Sequence, residues 1–374
     1  MPAKTIIQNS ALVVGSLAII FLLGELGVRT FDWKHGYGFF SNHRNILLRP
    51  LREPIRPFRT FGNDLYTEKD AKKYIVSTHK ELYPLEKEPN TYRIVALGGS
   101  TTQNFIEGSH YPKILQEKLQ NTYPGKKIEV INVGHDSYAT PHMIILLALD
   151  VVSWQADLLI ISENVNDLTA GYFKNFTLDY ANKYSNQAFI PYNKYLSYFT
   201  APNALFQWSS FYWFVSNKIE VLQDKMDRRQ QEKNPARFPV RSYGMALTPE
   251  VESVYTRNLR TLIAIAKIHN IQTILGTQPL AEFKEYQEQP FRYNTKYGDA
   301  VLYPKAEEFI AHHHRFNDLI RITAKETLTL LADNAIFLHG KKEYFTDIVH
   351  YTQPGLEKLS ENYYTIIVRN NLIQ

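Results

Sequence analysis

The sequence predicts an α/β protein built on a parallel β-sheet with helices on both faces. From Tyr92 onward, short apolar runs rich in β-branched residues alternate with segments of helical spacing. The runs are nearly continuous in apolar residues, as expected for strands of a buried parallel sheet. Polar clusters that contain Ser100, Gly134 and Asn166 directly follow three of the runs. Because the loops at the carboxyl ends of parallel strands converge, we expect these clusters to form one site.

Five strands are predicted, at Arg93–Leu97, Ile128–Val133, Leu158–Ser162, Gln272–Gly276 and Ala335–Leu338. Helices are predicted at His110–Thr122, at Pro141–Ser153, from Thr248 onward, at Lys305–Leu331 and at Leu356–Val368. Thr248 followed by Pro249 is a strong helix-start signal, since Thr caps the first turn and Pro tolerates its first position.

His312, His313 and His314 point in different directions on a helix, so we expect them to be exposed and not to bind a metal.

An apolar segment near the N-terminus predicts a transmembrane helix. Ala11–Val28 is apolar except for Ser16 and Glu25, and its length of about 27 Å matches the hydrocarbon core of a bilayer. No small-residue cleavage motif ends the run, so residues 1–30 are predicted to be a retained signal-anchor. A buried helix of a soluble protein is the alternative. The basic residues that follow the segment do not favour a catalytic domain outside the cytoplasm. An N-terminal anchor before one large domain nevertheless typically serves export. We therefore predict an extracytoplasmic location for the catalytic domain.

Two further regions flank the predicted sheet. Residues 31–90 are predicted to be a membrane-proximal linker, with a short helix at Lys69–Lys80. Residues 170–248 interrupt the strand–helix alternation and are rich in Tyr, Phe and Trp. They are predicted to form a helical insertion. We expect its aromatic residues to form the core of an extra subdomain. The alternative is that they form a lid, an acyl-binding wall or a membrane-interface surface.

The composition excludes several classes of function. The net charge of +5 is spread along the chain and no Lys/Arg block alternates with aromatic residues, so no nucleic-acid partner is predicted. The chain has no cysteine, which excludes disulfides, cysteine-ligated zinc and a thiol nucleophile. We predict neither a metal nor a cofactor.

Ser100, Asp347 and His350 have the chemistry of a nucleophile with its base. Ser100 follows Gly98 and Gly99 at the end of a predicted strand, and this glycine turn leaves room for a substrate carbonyl beside the hydroxyl. A serine needs a base, and His350 lies three residues after Asp347, so the carboxylate can orient the imidazole. A surface pair in a loop is the alternative for Asp347 and His350. His135 is a rival base, but no acid lies three residues before it.

Four segments in this chain order resemble the blocks of the SGNH/GDSL hydrolase superfamily. They read GGSTT (98–102), NVGHDS (132–137), NVND (164–167) and DIVH (347–350). The resemblance covers residues 91–374 apart from the insertion, and it implies a flavodoxin-like three-layer α/β/α sandwich with a parallel five-stranded sheet. Gly99 stands where many members have Asp, which is similar to the membrane-anchored GGS-T subgroup, and Asn164 stands where Gly is usual.

The same resemblance implies the roles of the site residues. Ser100 would be the nucleophile, His350 the base and Asp347 its orienting acid. The backbone N–H groups of Ser100 and Gly134 and the side-chain amide of Asn166 would form the oxyanion hole. The sequence thus predicts a serine ester hydrolase that acts on an O-acyl ester of a lipid or an acetylated sugar. An O-acyltransferase that modifies a cell-envelope glycan and a non-catalytic membrane-anchored assembly or binding protein are the alternatives.

Overall fold

The computed structural model describes residues 3–35, 38–40, 64–184, 209–216, 218–219, 222, 226, 247, 249–283 and 304–374. The chain divides into two compact units. One comprises Met1–Pro57 and Ile190–Pro239, and the other comprises Phe58–Phe189 and Val240–Gln374.

The secondary structure of the described residues is numbered in chain order. The strands are β1 (Tyr66–Lys69), β2 (Lys72–Val76), β3 (Leu82–Pro84), β4 (Thr91–Gly98), β5 (Lys127–Asn132), β6 (Leu158–Ser162), β7 (Gln272–Gly276) and β8 (Leu330–Ala332). The helices are α1 (Ala3–Lys34), α2 (Ser100–Gln103), α3 (Tyr111–Thr122), α4 (Thr140–Leu149), α5 (Val165–Ala170), α6 (Ala181–Tyr184), α7 (Pro249–Ile268), α8 (Ala306–Thr327), α9 (Asn334–Phe337) and α10 (Gln353–Arg369). Residues 210–216 are also helical.

The first unit contains the predicted apolar helix, α1. Its segment Asn9–Lys34, with 26 residues, is long and apolar enough to cross a membrane. Most of its large apolar side chains, from Leu12 to Leu26, are exposed, whereas Glu25 is buried. The long N-terminal apolar helix is therefore confirmed as a candidate membrane span, and its role as a retained signal-anchor stays a prediction.

The second unit begins with a small antiparallel sheet in the order β1-β2-β3. The helix predicted at Lys69–Lys80 is wrong, because the chain reverses at Asp70 and Ala71. These two residues have φ angles of 51° and 58° and connect the paired residues Lys69 and Lys72. Two left-handed residues form the hairpin turn that suits the twist of antiparallel strands. Aspartate suits the first position of such a turn, but alanine stands at the second position, where glycine is usual, so the sequence carries little signal for this turn.

A five-stranded parallel sheet is the centre of the second unit. Its strand order is β5-β4-β6-β7-β8, and each neighbouring pair is parallel. In chain order this is 2-1-3-4-5, the order of flavodoxin-like folds, whose ligand sites lie at the carboxyl ends of the strands. The predicted fold class is confirmed, and β4 is buried along its entire length.

Helices cover both faces of this sheet. Alternate residues of a strand point to opposite faces, and the core accordingly separates into two clusters. Val95 and Leu97 pack with residues of α4, α7 and α8. Ile94 and Ala96 pack with residues of α3 and α10. The result is the three-layer α/β/α arrangement.

The fifth strand is the one strand predicted in the wrong place. Ala335–Leu338 is not a strand, since residues 334–337 form the short helix α9, and the edge strand is β8, three residues long. The preceding helix α8 ends at Thr327 because Leu328 takes a left-handed conformation with φ of 54°. The sequence did not indicate strand β8, because Leu330 and Leu331 continue the apolar spacing of the helix predicted at Lys305–Leu331.

The three consecutive histidines in α8 differ in exposure. His314 is exposed as predicted, but His313 is fully buried, and its Nε2 lies 3.3 Å from Gln278 Oε1. His312 Nδ1 lies 2.9 Å from the hydroxyl of Tyr172. Consecutive helical residues point about 100° apart, so one of the three faces the core.

Much of the predicted insertion lies outside the described residues. Residues 185–208 and most of 217–248 belong to this part, so the helical subdomain over 170–248 stays a prediction. Tyr172 and Phe173, at its start, belong to the core of the second unit. The predicted boundaries at residues 30, 90 and 170–248 also stay predictions.

Candidate active site

Ser100 lies at the turn between the central strand β4 and the short helix α2. Gly99, the residue between them, has an extended backbone with φ of −89° and ψ of −150°. A Cβ atom on Gly99 would collide with the Glu163 carboxyl and would lie 2.5 Å from Asn166 Nδ2. Position 99 thus requires glycine, because two polar side chains approach the backbone there. The turn presents the Ser100 side chain at the carboxyl end of the sheet.

The structure brings Ser100, His350 and Asp347 together in one chain of hydrogen bonds. His350 Nε2 lies 2.9 Å from Ser100 Oγ, and His350 Nδ1 lies 2.7 Å from Asp347 Oδ2. With the proton on Nδ1, the imidazole donates to Asp347 and Nε2 is free to accept from the serine hydroxyl. All three residues are partly exposed to solvent, so a substrate can reach them.

Asp347 is held in place as a carboxylate. Its Oδ1 accepts the backbone N–H groups of Val349 and His350 at 2.9 and 2.8 Å. Burial opposes the ionisation of Asp347, but the hydrogen bond and charge interaction with His350 and the two backbone N–H groups outweigh it and lower the pKa of the carboxyl. The orienting group therefore keeps its negative charge at neutral pH.

Asn104 connects the serine side of the site to the histidine loop. This buried residue directly follows α2, and its Oδ1 accepts the Tyr351 N–H at 2.7 Å. Its Nδ2 donates to the Tyr351 carbonyl at 3.3 Å. Residues 345 and 351 form an antiparallel bridge that closes the loop around His350. Asn104 thus fixes the position of His350 relative to Ser100, although no motif in the sequence marks it.

The predicted oxyanion donors lie beside Ser100 and differ in their hydrogen bonds. The Ser100 N–H is at the first position of α2, where a helix provides no backbone acceptor. The Asn166 Nδ2 group donates one hydrogen bond to the Tyr138 carbonyl at 3.0 Å, and an amide NH₂ has a second hydrogen. The Gly134 N–H donates to Asn132 Oδ1 at 2.9 Å, so this donor is already engaged.

The backbone of Asn166 is held from two sides. Its N–H donates to Glu163 Oε1 at 2.8 Å, and its carbonyl accepts from Lys183 Nζ at 2.8 Å. Lys183 also donates to Thr169 Oγ1 at 2.9 Å. Burial lowers the pKa of Lys183 to about 8. Lys183 thus positions the first turn of α5, which carries Asn166, and a lysine in an aromatic-rich segment gave no sequence signal for this role.

The next residue, Tyr184, holds the loop that carries Gly134. Its hydroxyl donates to the Ser137 carbonyl at 2.6 Å. His135, Tyr138 and His142 stack in this region. The rival base His135 contacts the Asp136 carbonyl through Nδ1 at 3.0 Å, while the imidazole at Ser100 Oγ is that of His350. Consecutive residues of α6 therefore hold the two segments with predicted oxyanion donors, the first turn of α5 and the loop that carries Gly134.

Two buried carboxyl groups lie behind the site. Burial and the nearby Asp167 raise the pKa of Glu163 to about 8, and burial raises the pKa of Asp167 to about 6. The Asp167 carboxyl accepts the Thr140 backbone N–H through Oδ2 at 3.0 Å. The other carboxyl group, that of Glu163, has one oxygen, Oε2, with no hydrogen-bond partner among the described residues. The described ranges contain no group of three or more His, Asp or Glu side chains that could hold a metal ion.

Comparison with known proteins gives structural matches only. No protein-family model and no curated protein matches the chain. An acetylxylan esterase from Geobacillus stearothermophilus is 15% identical with a TM-score of 0.42, over 74% of this chain and 94% of its own. A lipase/acylhydrolase from Enterococcus faecalis is 14% identical with a TM-score of 0.44, over 75% of this chain and 96% of its own. At this level of similarity, the activity has to be inferred from the residues of the site.

Proposed function

We propose that the protein is a serine ester hydrolase that acts on an O-acyl ester through an acyl-enzyme intermediate. The observation that carries this proposal is the continuous hydrogen-bonded chain from Ser100 Oγ through the His350 imidazole to Asp347, at 2.9 and 2.7 Å. An imidazole between a hydroxyl and a carboxylate is the arrangement that activates a serine for attack on a carbonyl.

In the first half of the reaction, Ser100 Oγ attacks the ester carbonyl carbon while His350 Nε2 takes the hydroxyl proton. A bond forms between Oγ and carbon, and the carbonyl oxygen becomes an oxyanion. When the tetrahedral intermediate collapses, the bond to the alcohol oxygen breaks, and His350 delivers its proton to that oxygen. Asp347 stabilises the imidazolium that exists between the two proton transfers.

The oxyanion would be stabilised by the Ser100 N–H, the Gly134 N–H and the Asn166 side-chain amide. Ser100 N–H and the second Asn166 amide hydrogen suit this role best, since Gly134 N–H has to be shared with or released from Asn132 Oδ1. Removing one oxyanion donor typically raises the barrier by about 2.7–4 kcal/mol.

In the second half, an acceptor hydroxyl attacks the acyl carbon while His350 Nε2 takes its proton. The bond between Ser100 Oγ and the acyl carbon then breaks, and His350 returns the proton to Oγ. Water as the acceptor completes hydrolysis, whereas a sugar hydroxyl would make the protein an O-acyltransferase. We propose water as the acceptor and an acetylated sugar or a lipid ester as the substrate.

We further propose that α1 anchors the protein in a membrane with the catalytic unit on the extracytoplasmic side. The length and composition of Asn9–Lys34 support the anchor. A C-terminal fusion to alkaline phosphatase, which is active only outside the cytoplasm, tests the orientation. An inactive phosphatase fusion with a fluorescent green fluorescent protein fusion would contradict it.

A series of p-nitrophenyl esters from acetyl to long acyl chains tests the activity. The full-length protein is expected to hydrolyse at least the short esters, and Ser100→Ala is expected to lose this activity. Ser109→Ala is the matched control and should retain activity, because Ser109 follows Ser100 closely in the chain but is not one of the proposed site residues. Equal rates for wild type and Ser100→Ala would overturn the proposal. Release of the acyl group to an added sugar in place of water would identify a transferase.

A further inference from the structure

Glu163 approaches the turn of the proposed nucleophile from the neighbouring strand. Gly98, the last residue of β4, pairs with Ser162, the last residue of β6. The residues that follow them, Gly99 and Glu163, are therefore neighbours across the sheet. A Cβ atom on Gly99 would collide with Glu163 Oε2 and would lie 2.5 Å from Asn166 Nδ2. The carboxyl group and the proposed oxyanion amide thus lie against the same stretch of backbone.

The two oxygens of the Glu163 carboxyl group differ in their surroundings. Oε1 accepts the backbone N–H of Asn166 at 2.8 Å. Oε2 is buried and has no hydrogen-bond partner among the described residues, and the whole residue is 1% exposed. A negative charge on a buried oxygen without a donor is strongly disfavoured, because it loses its hydration without compensation. The geometry therefore favours the neutral carboxylic acid, with its proton on Oε2.

The charged neighbours of Glu163 lead to the same protonation state. Asp167 and Lys183 are buried and interact with it electrostatically. One ammonium group offsets one carboxylate, and Asp167 is the better carboxylate because both of its oxygens accept hydrogen bonds. Burial and the charge of Asp167 raise the pKa of Glu163 to about 8, although Lys183 opposes this shift. Tyr255 and Tyr351 also interact with Glu163, and burial raises the pKa of both phenols, so they stay uncharged.

We propose that Glu163 is a positioning residue whose proton keeps the second amide hydrogen of Asn166 available to the oxyanion. This inference rests on the proposed function. An ionised Oε2 would be a strong acceptor beside Asn166 Nδ2 and would compete with the oxyanion for that hydrogen. It would also place a negative charge near the oxyanion that forms at Ser100. Loss of the Glu163 proton should therefore lower kcat while the fold stays intact.

The pH dependence of kcat for p-nitrophenyl acetate tests this role in the full-length protein, with Ser100→Ala as the blank. The wild-type kcat should fall as the pH rises through about 8, by about tenfold at pH 9, where about one carboxyl group in ten keeps its proton. Glu163→Ala should lose activity at every pH. Glu163→Gln stays uncharged and keeps an acceptor for the Asn166 N–H, so it should recover most of the neutral-pH activity without the alkaline fall. Glu117→Gln is the control, since Glu117 is exposed, and it should show the same fall as wild type.

Lys183 needs to be separated from Glu163, because burial lowers the pKa of Lys183 to about 8 as well. In Lys183→Met the alkaline fall of kcat should persist and move to higher pH, since the positive charge that lowers the pKa of Glu163 is gone. A fall that disappears in Lys183→Met and persists in Glu163→Gln would assign it to the lysine and overturn the inference.

Infrared difference spectroscopy between pH 7 and pH 9 measures the proton itself. Wild type should lose a protonated-carboxyl band over this interval, and Glu163→Gln should not. A wild-type kcat without an alkaline fall, or a wild-type spectrum without the change in this band, would overturn the inference. A protein without esterase activity would refute the proposed function instead, and the infrared band would still decide whether Glu163 holds the proton.

Discussion

Asn104 forms two hydrogen bonds with the backbone of Tyr351, at 2.7 and 3.3 Å, across 247 positions of sequence. The pair connects the end of the helix that begins with Ser100 to the residue next to His350. The distance between nucleophile and base therefore depends on a side chain outside the hydrogen-bonded chain of Ser100, His350 and Asp347.

Asn104→Ala should lower kcat by about tenfold or more with little change in KM, because a buried hydrogen-bond pair worth about 1–3 kcal/mol no longer holds the histidine loop. Asn104→Asp keeps the acceptor for the Tyr351 N–H and should lose less. Steady-state ester hydrolysis, with circular dichroism as the check on folding, measures both. A kcat equal to that of wild type in folded Asn104→Ala would contradict the positioning role.

Lys183→Met should lower kcat by about tenfold, again with little effect on KM, because the Asn166 carbonyl loses its hydrogen bond from Lys183 and the side-chain amide is held less firmly. Lys174→Met is the matched control, since Lys174 is exposed a few residues earlier in the chain. Equal kcat values for the two variants would show that Lys183 does not position Asn166.

Gly99→Ala should abolish activity and lower the melting temperature, since the added Cβ would collide with the Glu163 carboxyl and Asn166 Nδ2. Moving either group disturbs the turn that presents Ser100. Gly125→Ala is the control, because no atom lies within 4 Å of a Cβ there. Activity and thermal unfolding of the two variants test this, and an active, stable Gly99→Ala would refute the close packing.

His313 should make the protein less stable as the pH falls below neutral. Burial lowers the pKa of His313 to about 3, while the unfolded chain binds this proton near pH 6.5. Between these values the unfolded state holds more protons, so the free energy of unfolding decreases as pH falls through this window. From pH 7.5 to 5 the decrease is about 2 kcal/mol for this group.

Denaturant unfolding of wild type and His313→Gln at both pH values isolates this contribution, because the other titrating groups are common to the two proteins. The difference in free energy of unfolding between them should change by about 2 kcal/mol over this interval. A difference independent of pH would mean that His313 is not held neutral by burial.

The parts of the fold that follow from local patterns could be predicted from the sequence. Strands β4 to β7 are predominantly apolar runs, and their bounds agree with the prediction within two residues. The edge strand β8 could not be predicted, because a left-handed Leu328 ends α8 inside an apolar pattern. The hairpin at Asp70 and Ala71 has alanine at its second turn position, where glycine is usual, so its signal in the sequence is weak.

The same distinction holds for the site. Ser100, Asp347 and His350 follow from chemistry and spacing, and the structure brings them within hydrogen-bond distance. Asn104 and Lys183 act through partners that are adjacent to them only in three dimensions. Glu25 interrupts an apolar helix in the sequence, but its carboxylate accepts hydrogen bonds from Ser209 Oγ and from the backbone N–H groups of Ser210 and Phe211, 184 to 186 positions away.

The central claim is that Ser100 is a nucleophile activated by His350, and covalent labelling tests it most directly. The full-length wild-type protein is treated with a fluorophosphonate probe, and the modified peptide is identified by mass spectrometry. We expect one probe on Ser100, no labelling of Ser100→Ala, and labelling at least about a hundredfold slower in His350→Ala. A folded wild-type protein that remains unlabelled, or that carries the probe on another residue, would contradict the account.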